Sequence, residues 1–225
     1  MSIEDNLISV QERISKAAAR AGRDPSEITL VAVSKTKPVD TIREAVSAGA
    51  TILGENRVQE AEHKIAELSD LPAKWHLIGH LQTNKANKAV CLFDLIHSVD
   101  SPRLVEALNR AAENSEKRQA ILLQINIAGE DQKFGTSPKE FERLIETARS
   151  ASSLDVKGLM VMPPFSEDPE EARPYFRELR ETAERYSSEL GDQIELSMGM
   201  TGDFEVAIEE GSTMVRIGTA IFGAR

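Results

Sequence analysis

Lys35 closes the apolar run Thr29-Leu30-Val31-Ala32-Val33-Ser34-Lys35, where a buried strand opens into a loop. Desolvation there disfavours the ammonium form, and a neutral amine condenses with an aldehyde or ketone to a Schiff base. Far along the chain, two segments bring together small residues, hydroxyls and a guanidinium: Ser197-Met198-Gly199-Met200-Thr201-Gly202-Asp203 and Arg216-Ile217-Gly218-Thr219-Ala220. A glycine-bearing turn that leads into a helix presents backbone N–H groups to an anion. The three segments together suit a phosphorylated carbonyl compound. Each also has a plainer explanation. Lys37 is an equally basic competitor with the same strand parity, so the preference for Lys35 rests on its depth. Gly199 to Asp203 also fits a simple turn, with Asp203 capping a helix built on Phe204, Ala207 and Ile208. Arg216 lies among apolar neighbours and needs an acid or a ligand, and a structural salt bridge would serve equally well.

The elements that must hold these residues follow from periodicity. Ile3, Leu7, Val10, Ile14, Ala17 and Ala21 form one stripe of an amphipathic helix that Gly22 and Pro25 end. Beyond it, short apolar runs predict strands near 29–35, 52–56, 75–81, 94–99, 120–127, 156–162, 194–198 and 214–218, the last free to run on. Helical faces fall between them: Val39, Ile42 and Val46; Val58, Ala61, Ile65 and Leu68; Phe141, Leu144, Ile145 and Ala148; and Ala172, Tyr175, Phe176, Leu179 and Ala183, starting near Asp168-Pro169. Ser101-Pro102 and Ser137-Pro138 place a capping hydroxyl before a proline at the first helical position, and Glu140 is spaced to close a capping box with Ser137. Strand and helix alternating about eight times predict an α/β fold, a single (β/α)8 TIM barrel over residues 1–225 with an extra N-terminal helix. An open doubly wound sheet is the alternative. In such barrels chemistry sits at the C-terminal ends of strands, where Lys35 falls, and phosphate is usually held by the loops after the last two strands.

Composition narrows the function classes. The 225 residues are 40% hydrophobic and 28% charged, ordinary for a globular chain, with a formal net charge of −10. That balance argues against a general nucleic-acid or anionic-membrane surface. Cys91 is the only cysteine, excluding an intramolecular disulfide, and in Ala89-Val90-Cys91-Leu92-Phe93 it is expected to be a small buried hydrophobe. No stretch resembles a signal peptide or a membrane span, so the expected location is cytoplasmic. His76 and His80 lie ~13 Å apart along a strand, too far to share an ion. Neither His63 nor His97 has ligand spacing to other candidate donors, so no metal is expected.

Five segments, VAVSKTKP, GENRVQE, KWHLIGHLQTNK, GLMVMPP and LSMGMTGDFEVAIEEGSTMVRIGTAIFG, resemble the pyridoxal phosphate homeostasis protein family over nearly the whole chain. The resemblance implies a barrel similar to the N-terminal barrel of bacterial alanine racemase, with pyridoxal 5′-phosphate carried as a covalent aldimine on Lys35. Carried over by position, Asn56 lines the cofactor face. Ser197, Met198, Gly199 and Met200 match the first phosphate loop, with Thr201 where the family more often has serine. Gly218 and Thr219 match the second loop, and Arg216 faces the pyridine nitrogen. An arginine there keeps that nitrogen unprotonated and makes the ring a weak electron sink.

The implied role is to carry, buffer or deliver the cofactor and so maintain its homeostasis, without robust catalysis. PLP-dependent apoenzymes are the implied transient partners, and a monomer is expected because a closed barrel has no free edge. Two enzymatic alternatives stand beside it, a PLP-dependent amino-acid racemase of low activity and a Schiff-base aldolase. Racemases resembling this barrel take a catalytic tyrosine from a second domain or a partner subunit. The sequence here ends at Arg225, just after the last strand, and its only tyrosines, Tyr175 and Tyr186, fall on a peripheral helix.

Overall fold

Each apolar run becomes a parallel strand, and each intervening periodic segment becomes a helix laid against the outside of the sheet. The computed structural model describes residues 2–130, 134–191 and 193–223. The strands are β1 (Thr29–Val33), β2 (Ile52–Glu55), β3 (Lys74–Leu77), β4 (Leu95–Val99), β5 (Gln119–Ile125), β6 (Leu154–Val161), β7 (Glu195–Met200) and β8 (Met214–Ile217). They close in sequence order into a barrel, β1 pairing in parallel with both β2 and β8. The open-sheet alternative is thereby excluded.

Around them run α1 (Ile3–Arg20), α2 (Val39–Ser47), α3 (Val58–Glu67), α4 (Ala86–Leu92), α5 (Pro102–Asn114), α6 (Phe141–Arg149), α7 (Arg173–Arg185), α8 (Ser187–Leu190), α9 (Phe204–Glu209) and α10 (Thr219–Phe222). None of the described helices is long and apolar enough to cross a membrane.

Strand alternation divides the core in two. Ala32, Leu53, Leu77 and Ile96 point outward into the layer that receives the helices. Leu95, Leu122, Met160 and Met214 fill one part of the barrel interior, while Val31, Val33 and Ile78 pack in another. The interior is therefore packed rather than hollow, and ligands must meet the chain at the strand ends.

The predicted N-terminal helix is present and buries Leu7, Val10, Ile14, Ala17 and Ala18. Its start is held by a capping box: the Asp5 N–H donates to Ser2 Oγ at 3.1 Å, and the Ser2 N–H donates to Asp5 Oδ2 at 3.0 Å. Arg13 ties α1 to α9 through Glu205 at 2.7 Å and lies 4.5 Å over the Phe204 ring. Asn6 Nδ2 donates to the Ile221 carbonyl of α10 at 2.8 Å. Ser2→Ala is expected to cost about 1 kcal/mol, lowering the melting temperature by roughly 2–4 °C in a calorimetric scan.

Several local expectations are corrected. Cys91 is exposed, not buried, because α4 turns Ala86, Ala89 and Val90 inward and leaves the cysteine on its outer side. Ser137 and Glu140 do not form a capping box; the Ser137 hydroxyl donates to the Glu140 carboxylate at 3.1 Å, and α6 starts at Phe141 and not at Pro138. Ser101 precedes α5 as expected but makes no side-chain cap. The segment at Asp168-Pro169 opens with a 3₁₀ turn, Pro169–Ala172, before α7 begins. Strand β3 stops at Leu77, short of 81, and β1 stops at Val33, two residues before Lys35.

Candidate functional site

At the C-terminal rim of the barrel, β1 gives way to a turn at Lys35-Thr36, with Lys35 half-buried. Thr36 has φ 64°, a left-handed conformation that costs a residue with a side chain roughly 1–2 kcal/mol. This reversal breaks the strand alternation, so Lys35 and Lys37 no longer share a direction by parity. Lys37 Nζ donates to the carbonyls of Phe222 and Gly223 at 3.0 and 3.1 Å, satisfying the C-terminal end of α10. The competitor lysine thus has a structural task at the seam between the first and last loops.

Asn56 follows β2 on the same rim and is half-buried. Its backbone lies against Gly79, where a Cβ would come within 2.3 Å of the Asn56 carbonyl oxygen. Only glycine lets the two loops approach so closely. A cleft of ≈ 720 Å³ opens beside Asn56, with Arg57, Glu60, Lys64, His80 and Lys85 among its walls.

Arg216 pairs in register with Val31, so its side chain shares the barrel interior with Val31 and Val33, below Lys35 on the neighbouring strand. It is 3% exposed. Nη1 donates to Ser197 Oγ at 2.6 Å and Nη2 to the Val161 carbonyl at 3.0 Å. Among the described residues it forms no ion pair, which removes the structural salt bridge as its explanation. Burial lowers its pKa to about 10 against the attraction of Asp203, and it remains a cation at neutral pH.

Ser197 is expected in the phosphate loop, yet its hydroxyl lies inside the barrel between Arg216 and a histidine. His97 Nδ1 lies 2.9 Å from Ser197 Oγ, and His97 Nε2 lies 3.0 Å from His76 Nδ1. A polar chain thus crosses the interior from β3 to β8. Burial depresses both imidazoles, His76 to about 4 and His97 well below its ordinary value, so both are neutral. Sequence reasoning weighs these two histidines only as metal ligands and misses their place in this chain.

Met198 points into the helix-facing core and brings only its backbone to the site. Gly199 sits at an irregularity in the β7–β8 pairing with φ 94°, and a Cβ there would meet Ala207 at 2.6 Å. The chain then turns at Thr201-Gly202. Asp203 does not cap α9 as expected; Oδ1 instead accepts the Met200 N–H at 2.6 Å, and burial raises its carboxyl pKa. Next to this turn, Gly218 leads into α10 at Thr219. Among the described residues, the N–H groups of Thr201, Gly202, Thr219 and Ala220 take no hydrogen-bond partner. Two adjacent loops therefore offer amides to an anion, beside a buried cation with donors still unused.

This donor set fits a phosphorylated pyridine aldehyde: amides for the phosphate, guanidinium N–H groups for a ring nitrogen, and a rim lysine for the aldehyde. A closed parallel barrel with that rim defines the class of the alanine racemase N-terminal domain, and residues 6–225 match the family of that description. Bacterial alanine racemases share the fold alone: that of D-cycloserine-producing Streptomyces lavendulae superposes with a TM-score of 0.73 at 20% identity, over 97% of this chain and 58% of that one.

Much nearer is PipY of Synechococcus elongatus PCC7942, solved with PLP bound, with a TM-score of 0.87 and 38% identity over 99% of this chain and 100% of that one. The pyridoxal phosphate homeostasis protein of Aquifex aeolicus (strain VF5) is 44% identical over 100% of this chain and 99% of its own length. That of Pseudomonas aeruginosa is 42% identical over 100% and 96%. The chain belongs to the pyridoxal phosphate homeostasis protein family.

Proposed function

We propose that this protein binds pyridoxal 5′-phosphate at the barrel mouth through a covalent link to Lys35 and holds it for delivery to PLP-dependent apoenzymes, without turnover of its own. When bound, the group supplies an electrophilic aldehyde, an aromatic nitrogen and a phosphate. Lys35 offers the amine. The N–H groups of Thr201, Gly202, Thr219 and Ala220 hold the anionic end, and Asn56 flanks the ring. Arg216 donates to the ring nitrogen and, being a cation, keeps it unprotonated.

The observation that carries this reading is Arg216 itself, buried and oriented by Ser197 and Val161 where a strong electron sink would need a carboxylic acid. The two tyrosines lie away from the barrel mouth. Tyr186 packs edge-on against Phe141 outside the barrel, with ring centroids 5.1 Å apart, and Tyr175 lies half-buried on α7. The test is an absorbance spectrum of protein saturated with pyridoxal 5′-phosphate, before and after borohydride, with peptide mapping of the reduced adduct. A near-violet band, bleached by borohydride and traced to Lys35, is expected. Steady interconversion of alanine enantiomers at enzymatic rates would instead establish a racemase. Sedimentation is expected to give a monomer with or without the ligand.

A further inference from the structure

Behind the rim, on the side facing the helices, lies a cluster of charged groups that the cofactor reading leaves unused. Lys64 sits in the apolar stripe of α3 beside Val58 and Ala61 and is 5% exposed. Its Nζ donates to Glu55 Oε1 at 2.8 Å, to Glu60 Oε1 at 2.7 Å and to the Ser34 carbonyl at 2.8 Å. Glu55 ends β2 and is fully buried, and its Oε1 also accepts the Ser34 hydroxyl at 2.6 Å. Glu60 Oε1 accepts the Thr36 N–H at 2.5 Å. Both neighbours of Lys35 are therefore fixed by the same three side chains: Ser34 through its hydroxyl and carbonyl, Thr36 through its amide.

The arrangement is costly to build. Lys64 and Glu55 are withdrawn from water, and among the described residues Glu55 Oε2 has no hydrogen-bond partner. Burial raises the Glu55 carboxyl above its ordinary range despite Lys64 and Ser34. For Glu60 burial also pulls upward, but the hydrogen bonds from Lys64 and Thr36 outweigh it and leave the group lowered. Apolar residues at all three positions would pack the helix against the sheet with less penalty. What the charged cluster does, and an apolar one cannot, is hold the left-handed Thr36 and so determine where the intervening side chain leaves the backbone.

We infer that Lys64, with Glu55 and Glu60, is a positioning device for Lys35, holding the turn that aims its amine at the carbonyl carbon of the ligand. This inference rests on the cofactor reading above and deepens it. The device acts on attachment of the aldehyde and not on recognition of phosphate and ring, which belongs to the loops after β7 and β8. Those two contributions are separable with two ligands, pyridoxal 5′-phosphate and pyridoxine 5′-phosphate, an alcohol that cannot form the link.

Lys64→Met is expected to slow covalent attachment of the aldehyde and lower its apparent affinity by about tenfold, leaving affinity for the alcohol within about twofold. Glu60 faces the cleft beside α3 with its side chain 27% exposed, so substitutions there are compatible with folding if Lys64→Met is not. Glu60→Ala removes the acceptor of the Thr36 N–H and is expected to behave like Lys64→Met. Glu60→Gln keeps an acceptor oxygen and should recover most of the attachment rate. Equal losses for both ligands in folded variants, or no loss for either, would overturn the inference. Wild-type protein that attaches nothing to Lys35 would remove the inference together with the reading beneath it, an outcome visible before any variant is made.

Discussion

Lys35→Ala protein saturated with pyridoxal 5′-phosphate is expected to show no near-violet band and no borohydride-fixed adduct, while Lys37→Ala protein keeps both. The contrast follows from the different tasks of two lysines that sequence parity could not separate. Lys37 is committed to the carbonyls of Phe222 and Gly223, whereas Lys35 stands in the turn above Arg216. Losing the covalent link leaves the loop amides and Arg216 in place, and charge-assisted hydrogen bonds of this kind contribute about 1.5–3 kcal/mol each. Residual binding should therefore survive, weakened on the order of 100-fold, or about 3 kcal/mol, measurable by equilibrium dialysis. A band unchanged in Lys35→Ala, or an adduct mapped to Lys37, would show the site to be misassigned.

The second large effect concerns acid stability. His76 and His97 are buried as neutral imidazoles, with His76 depressed to about 4 and His97 shifted in the same direction, both chiefly by loss of solvation. Unfolding returns them to ordinary values near 6.5, so below that pH the unfolded chain binds protons that the folded one refuses. Stability is thus fully present above about pH 6.5 and falls as pH drops toward about 4, by about 1.4 kcal/mol per pH unit for His76 alone, and His97 adds to the same slope. The urea midpoint should fall clearly between pH 6.5 and pH 5. A His76→Gln, His97→Gln double variant is expected to be weaker at pH 7 but flatter across that window. A wild-type midpoint constant over the interval would contradict the neutral, buried pair.

Why these histidines escaped sequence reasoning is instructive. Spacing relates His76 to His80, four residues along the same run, but its partner lies on the next strand. His76 stands opposite Leu95, and His97 is two residues further along β4 on the same interior face. Knowing that parity requires the register, which no single strand carries. Lys64 escaped for a different reason. A lysine within the stripe Val58, Ala61, Leu68 looks like an interruption of the apolar face until the carboxylates of Glu55 and Glu60 are brought to it by the fold.

By contrast, all eight strands were legible because each is a short apolar run followed by a helical period, and closure of the sheet leaves no other place for the strand ends to converge. Capping was legible in type but not in detail. Asp203 and Ser137 have the residue types of a cap, but tertiary neighbours offered their oxygens different partners: the Met200 amide for Asp203, the Glu140 carboxylate for Ser137.

Closure of β1 on β8 also bears on how the molecule is made. Lys35 is made early, but the amides at Thr201, Gly202, Thr219 and Ala220 follow only 166 or more residues later. At translation speeds of roughly 5–20 residues per second, the interval is on the order of ten seconds or more. A growing polypeptide therefore carries Lys35 long before it carries those amides, and the two are brought together only when β8 docks beside β1.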